Sequence, residues 1–159
     1  MKKAIYPGTF DPITRGHVDI IERSLRLFDE LIIAVAKNDR KKPMFGLKER
    51  VDMILGAIGN DSRVTVLPFE ELTVQFAFQH NITTIIRGLR AVSDFEYELQ
   101  IALTNRQLMD SIETIFMMPS LEYVYLNSTI VRELASMKTP LHQFVTPNVE
   151  KHLREKFNY

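Results

Sequence analysis

The sequence predicts an α/β fold: a five-stranded parallel sheet with helices on both faces. Two observations predict it. Short apolar runs alternate with segments of helical period along the whole chain, and 159 residues with no repeat, low-complexity tract or linker fit one domain, residues 1–159. Parallel neighbours need crossover connections, which helices supply with a right-handed sense.

Each element follows in order. Lys3 to Tyr6 reads as a buried strand that stops at Pro7-Gly8. From Val18 to Phe28, the residues Val18, Ile21, Leu25 and Phe28 recur at spacings of three and four, the apolar stripe of a helix. Leu31 to Ala36 is the second strand. Lys37 to Phe45 is a polar, proline-containing loop, after which Leu47, Val51, Ile54, Leu55 and Ile58 mark a helix ending at Gly59-Asn60. Val64 to Leu67 is the third strand, Leu72 to Gln79 a short helix, and Thr84 to Ile86 the fourth strand. Ser93-Asp94-Phe95-Glu96 reads as a capping box opening a helix to Leu108, and Glu113 to Met117 as the fifth strand. After Pro119 comes an irregular stretch, then a helix from Ser128 with Ile130, Leu134 and Met137 inward, and a last one from Pro147 to Phe157. Met117-Met118 reads as core.

Composition narrows the function. The chain is 45% hydrophobic and 25% charged, as in an ordinary soluble domain. Its 20 Lys+Arg balance 20 Asp+Glu, so it has no overall field to hold nucleic acid or a membrane, and any anion site must be local. No cysteine is present, which removes disulfides, thiolate metal sites and cysteine nucleophiles together. The N-terminal apolar run ends at Tyr6, too short for a signal peptide or span, and a cytoplasmic location is expected. Asn81-Ile82-Thr83 and Asn127-Ser128-Thr129 fit a glycosylation sequon that such a location leaves unused. The histidines at 17, 80, 142 and 152 lack metal-ligand spacing, so no metal held by protein side chains is expected.

The six glycines, at 8, 16, 46, 56, 59 and 88, form neither a dinucleotide fingerprint nor a P-loop. What remains is Tyr6-Pro7-Gly8-Thr9-Phe10-Asp11-Pro12-Ile13-Thr14-Arg15-Gly16-His17, at the end of a first strand, where open α/β sheets bind ligands. Gly8 allows close backbone approach, Thr9 offers a hydroxyl, and His17 in the first helical turn can donate to a phosphate beside the helix amides. Taken alone, such a histidine is more often an ordinary loop residue. Arg87 and Arg90 flank Gly88 after the fourth strand and can present two guanidinium forks to polyphosphate, or pair with Asp94, Glu96 or Glu98. Ser128 and Thr129 offer hydroxyls and helix-start amides to an anion, although an N-cap explains them equally. Lys41 and Lys42 read on composition as a solvated basic loop.

These residues resemble the nucleotidyltransferase superfamily with its (His/Thr)-x-Gly-His signature, and specifically the bacterial phosphopantetheine adenylyltransferase family. The likeness continues through Lys41-Lys42-Pro43-Met44-Phe45, Ile86-Arg87-Gly88-Leu89-Arg90-Ala91 with Asp94-Phe95-Glu96-Tyr97-Glu98, and Asn127-Ser128-Thr129. It implies a Rossmann-like domain that transfers adenylyl from ATP to 4′-phosphopantetheine, giving dephospho-coenzyme A and pyrophosphate in the penultimate step of coenzyme A synthesis. It further implies His17, Lys41 and Arg90 as catalytic residues. Thr9, Phe10, His17, Gly88, Leu89, Arg90, Glu98, Tyr123, Ser128 and Thr129 fall on the ATP side, and Thr9, Lys41, Thr73 and Arg87 on the phosphopantetheine side. Mg²⁺ would arrive with ATP, coenzyme A would be a feedback inhibitor, and the assembly would be a homohexamer. Asn127 departs from the serine-rich run usual there. Two alternatives keep the same ATP residues: a superfamily member with another phosphate acceptor, and a nucleotide-binding sensor without catalysis.

Overall fold

The first strand, β1 (Lys3–Gly8), occupies the centre of a sheet ordered β3-β2-β1-β4-β5, in which every neighbouring pair is parallel. The other strands are β2 (Glu30–Ala36), β3 (Val64–Phe69), β4 (Thr84–Gly88) and β5 (Glu113–Met117). Between and after them lie α1 (Arg15–Ser24), α2 (Leu47–Ile58), α3 (Thr73–Gln79), α4 (Val92–Leu108), α5 (Ser128–Ser136) and α6 (Pro147–Phe157). The structure, a computed structural model, describes residues 1–37 and 42–159.

Strand alternation divides the core in two. Ala4, Tyr6, Leu31, Ile33, Val35 and Ile86 meet α1, α2, α5 and α6 through Ile20, Ile21, Met53, Ile54, Val131, Ala135, Val149 and Leu153. Ile5, Ala34 and Ile85 point the other way, against Val74, Phe76 and Ala77 of α3. Pro68 is tolerated because β3 is an edge strand. Pro7 lies in the central strand, yet the β1–β4 pairing is confined to Ile5 opposite Ile85. Past that pair, β1 has no N–H at Pro7 to offer, and the sheet opens toward the strands' carboxyl ends.

The five strands and the order of the helices stand as the sequence predicts, although β1, β3 and β4 each run two residues further, through Gly8, Phe69 and Gly88, and four other readings are corrected. Helix α1 starts at Arg15 and ends at Ser24, with Ile20 and Ile21 innermost and Val18, Leu25 and Phe28 only partly buried. Helix α4 begins behind Ala91, not behind Ser93; its third residue is Asp94, which pairs with Arg90 instead of returning to a capping amide. Met137 lies outside α5, exposed, because the inward face uses Val131 and Ala135 four apart, and Met137 is turned away from both. Met118 is likewise exposed, while Met117 packs on the core. Among the described residues, no helix is long and apolar enough to cross a membrane.

Candidate active site

A cleft of about 570 Å³ opens where β1 and β4 separate, the point at which strand order reverses. Its floor is the β1–α1 turn, one wall is the end of β4 with Arg87, Gly88 and Arg90, and another is the start of α5 with Asn127, Ser128 and Thr129.

His17 is the third residue of α1, and its position is fixed by a reciprocal cap. Thr14 Oγ1 accepts from the His17 N–H at 3.4 Å, and the Thr14 N–H donates to His17 Nδ1 at 3.0 Å. Because Nδ1 accepts, the neutral ring carries its proton on Nε2, leaving that N–H as a donor. The ring packs edge-on to Phe10 at 5.2 Å. Burial first, then the Arg90 and Arg87 charges, lower its pKa from 6.5 to about 4, so it is a neutral donor at neutral pH.

Phe10 itself has φ of 50°, a left-handed conformation uncommon outside glycine. Gly8 makes room for it: a Cβ there would meet the Phe10 ring at 3.0 Å. Asp11 is buried and accepts from the Met44 and Phe45 N–H groups at 2.8 and 2.9 Å.

Both expected arginines line the cleft, and both are also paired with acids. Arg87 donates to both carboxylate oxygens of Glu98 at 2.6 and 2.7 Å and to the Pro7 carbonyl at 3.0 Å. Burial opposes its charge, but Glu98 more than offsets this, and its pKa is raised above the ordinary arginine value. Arg90 donates to Asp94 at 3.1 Å. At α5, Asn127 is the cap, its Oδ1 accepting from the Ile130 N–H at 2.9 Å; Ser128 Oγ instead donates to the Pro12 carbonyl at 2.8 Å. Arg132 donates to the Asp11 carbonyl and to Thr129 Oγ1, the latter at 3.1 Å. The site thus has a neutral N–H donor, arginines and a helix start around one space, a set suited to polyphosphate rather than to nucleophilic catalysis.

The cytidylyltransferase-like family profile matches residues 5–134. Proteins named phosphopantetheine adenylyltransferase match almost end to end. That of Geobacter metallireducens is 50% identical, over 99% of this chain and 96% of its own length. That of Finegoldia magna is 49% identical, over 98% and 96%. That of Legionella pneumophila is 46% identical, over 99% and 92%. The chain belongs to the phosphopantetheine adenylyltransferase family. A solved structure described as a nicotinate-nucleotide adenylyltransferase from Vibrio parahaemolyticus has the same fold, with a TM-score of 0.70 at 20% identity, covering 98% of this chain and 93% of its own.

Of the site residues expected from the resemblance, the cleft gathers Thr9, Phe10, His17, Arg87, Gly88, Arg90, Glu98, Tyr123, Ser128 and Thr129. Leu89 and Thr73 are not among its lining residues: the Leu89 N–H is bonded to the Met117 carbonyl, and Thr73 opens α3. Lys41 lies outside the described residues, and Lys42 is exposed. Sequence reasoning gives no role to Arg132, which follows Thr129 by three residues and so shares its helix face.

Proposed function

We propose that the chain transfers the adenylyl group of ATP to 4′-phosphopantetheine, releasing pyrophosphate and forming dephospho-coenzyme A. An acceptor phosphate oxygen attacks the α-phosphorus, the bond to the β-phosphate breaks in line, and pyrophosphate leaves. No protein nucleophile takes part. The chain's task is positioning and charge stabilisation.

The observation that carries this reading is His17, a neutral Nε2–H donor held by Thr14 in a cleft flanked by arginines, in a chain matching adenylyltransferases over nearly its full length. His17 and Lys41 stabilise charge at the α-phosphate. Arg90, Ser128 and Thr129 hold the β- and γ-phosphates, and Arg87 receives the acceptor phosphate. Mg²⁺ enters as part of the MgATP substrate; the cleft carboxylates Asp11 and Glu98 are already engaged by amides and by Arg87. Coenzyme A, which shares the pantetheine arm, competes on the acceptor side. A cytoplasmic location and a homohexamer are part of the same proposal; exposed Tyr97, Leu103 and Leu108 on α4 and Phe78 on α3 are apolar side chains that packing against further copies would cover.

The test is pyrophosphate release by purified protein with each substrate alone and with both. Release that requires ATP and 4′-phosphopantetheine together supports the reading. Release with nicotinamide mononucleotide or glycerol phosphate instead, or nucleotide binding without release, overturns it.

A further inference from the structure

Arg50 lies on α2, is 1% exposed and is not among the residues lining the cleft. Its guanidinium donates to four main-chain carbonyls: Nη1 to Thr9 and to Ala36, each at 2.7 Å, Nε to Phe45 at 3.1 Å, and Nη2 to Lys37 at 3.2 Å. A buried cation is costly unless its donors are met, and only a planar fork with five N–H groups reaches several carbonyls pointing in different directions. Those carbonyls lie just past β1 (Thr9), at the end of β2 and just past it (Ala36, Lys37), and just before α2 (Phe45). Arg50 therefore ties together three segments that converge beneath the site.

Its bond to Thr9 has a consequence inside the cleft. A planar trans peptide holds C=O and N–H on opposite sides, so a Thr9 carbonyl fixed toward Arg50 turns the Phe10 N–H away from it. That N–H donates to no acceptor among the described residues. Phe10 is held at φ 50°, a conformation that persists in a residue with a side chain only where the surroundings impose it. The other side of the turn is also fixed. Asp11 accepts from the Phe45 N–H while Arg50 takes the Phe45 carbonyl, so the two charges grip one residue from both sides.

We infer that Arg50 is a positioning residue for adenylyl transfer: by holding the Thr9 carbonyl it sets the Thr9–Phe10 turn that faces the nucleotide phosphates. This inference rests on the proposed transfer reaction. Charge alone cannot replace the fork, because a lysine ammonium at the same place has no planar array to span Thr9, Ala36, Lys37 and Phe45.

The test compares wild-type protein with Arg50→Lys and Arg50→Gln, each assayed well below its own melting temperature. Pyrophosphate release gives kcat and both KM values, and calorimetry gives ATP affinity. Misplacement of reacting groups by about 1 Å can cost up to ~100-fold in rate, so kcat is expected to fall roughly 10- to 100-fold while ATP affinity changes only about threefold. A folded variant with kcat within about twofold of wild type overturns the inference, as does an equal loss in kcat and ATP affinity, since neither is a selective effect on the bound geometry. If neither variant folds, Arg50 is a requirement of the core and the inference also fails. Wild-type protein that releases no pyrophosphate refutes the transfer reaction itself, a separate outcome.

Discussion

Lowering the pH tests the state assigned to His17. In an unfolded chain this imidazole titrates near 6.5; in the fold, burial and the Arg90 and Arg87 charges bring it to about 4. The native state therefore favours the neutral ring, and between these values the unfolded chain binds the proton that the native chain refuses. The contribution is fully present above about pH 6.5 and is lost as pH falls toward 4. The interval from 6.5 to about 4, at ~1.4 kcal/mol per pH unit, amounts to roughly 3 kcal/mol. Carboxylates with lowered pKa values, such as Asp19 and Glu150, also lose stability in acid, so the comparison is with His17→Gln. Urea unfolding of both proteins across pH 7.5 to 4.5 should show wild type losing stability more steeply than the variant. Nitrogen-15 NMR of the ligand-free protein should place the proton on Nε2 throughout. A His17 midpoint near 6.5, or a proton on Nδ1, would refute the reasoning, because the Thr14 N–H could then not be donating to that nitrogen.

Three further outcomes are expected. His17→Ala should lower turnover by about 10²–10³, since one preorganised donor to developing charge is worth roughly 2.7–4 kcal/mol, and should lower the melting temperature by several degrees, because the Thr14 N–H loses its acceptor; near-native turnover would remove its catalytic role. Arg87→Ala should destabilise the fold by ~2 kcal/mol, below the usual buried-pair loss because Arg87 is 26% exposed, and Arg87→Met combined with Glu98→Gln should recover much of it in thermal melts. Ser128→Ala should weaken ATP binding several-fold more than AMP binding, as one neutral hydrogen bond contributes about 0.5–1.5 kcal/mol, and equal weakening would assign Ser128 to the Pro12 contact alone.

How far the sequence reveals the site depends on whether each contact is local. The β1–α1 turn with His17 is legible because strand, glycine, threonine and histidine follow one another. Arg87 and Arg90 are legible because they end an apolar strand. The Arg132 bond to the Asp11 carbonyl spans 121 residues, and no pattern in either segment announces it. Arg50 is hidden for a different reason. Of the stripe read from Leu47, Val51, Ile54, Leu55 and Ile58, Ile54 is buried, Leu47, Val51 and Ile58 are partly buried and Leu55 is exposed, while the inner face adds Arg50 and Met53. Arg50 occupies a core position of α2, and a charge at a core position makes the apolar period appear rotated toward its neighbours.

The same bonds explain how a chain of zero net charge can gather a polyanion. Parallel strands that end together present carbonyl oxygens at their carboxyl edge, and those partial negative charges would repel phosphate. Here arginines cover them. Arg87 takes the Pro7 carbonyl where β1 and β4 part, Arg50 those of Thr9, Ala36 and Lys37, and Arg132 that of Asp11. Pro7 opens the sheet because it has no N–H for the ladder, and the carbonyl it leaves at the gap recruits Arg87 into the cleft. Cleft and charge thus have one origin. Acids held at hydrogen-bond distance, Glu98 on Arg87 and Asp94 on Arg90, keep the guanidinium planes oriented before any ligand arrives. A phosphate meeting them has to compete with a carboxylate, so the site discriminates by geometry as much as by charge.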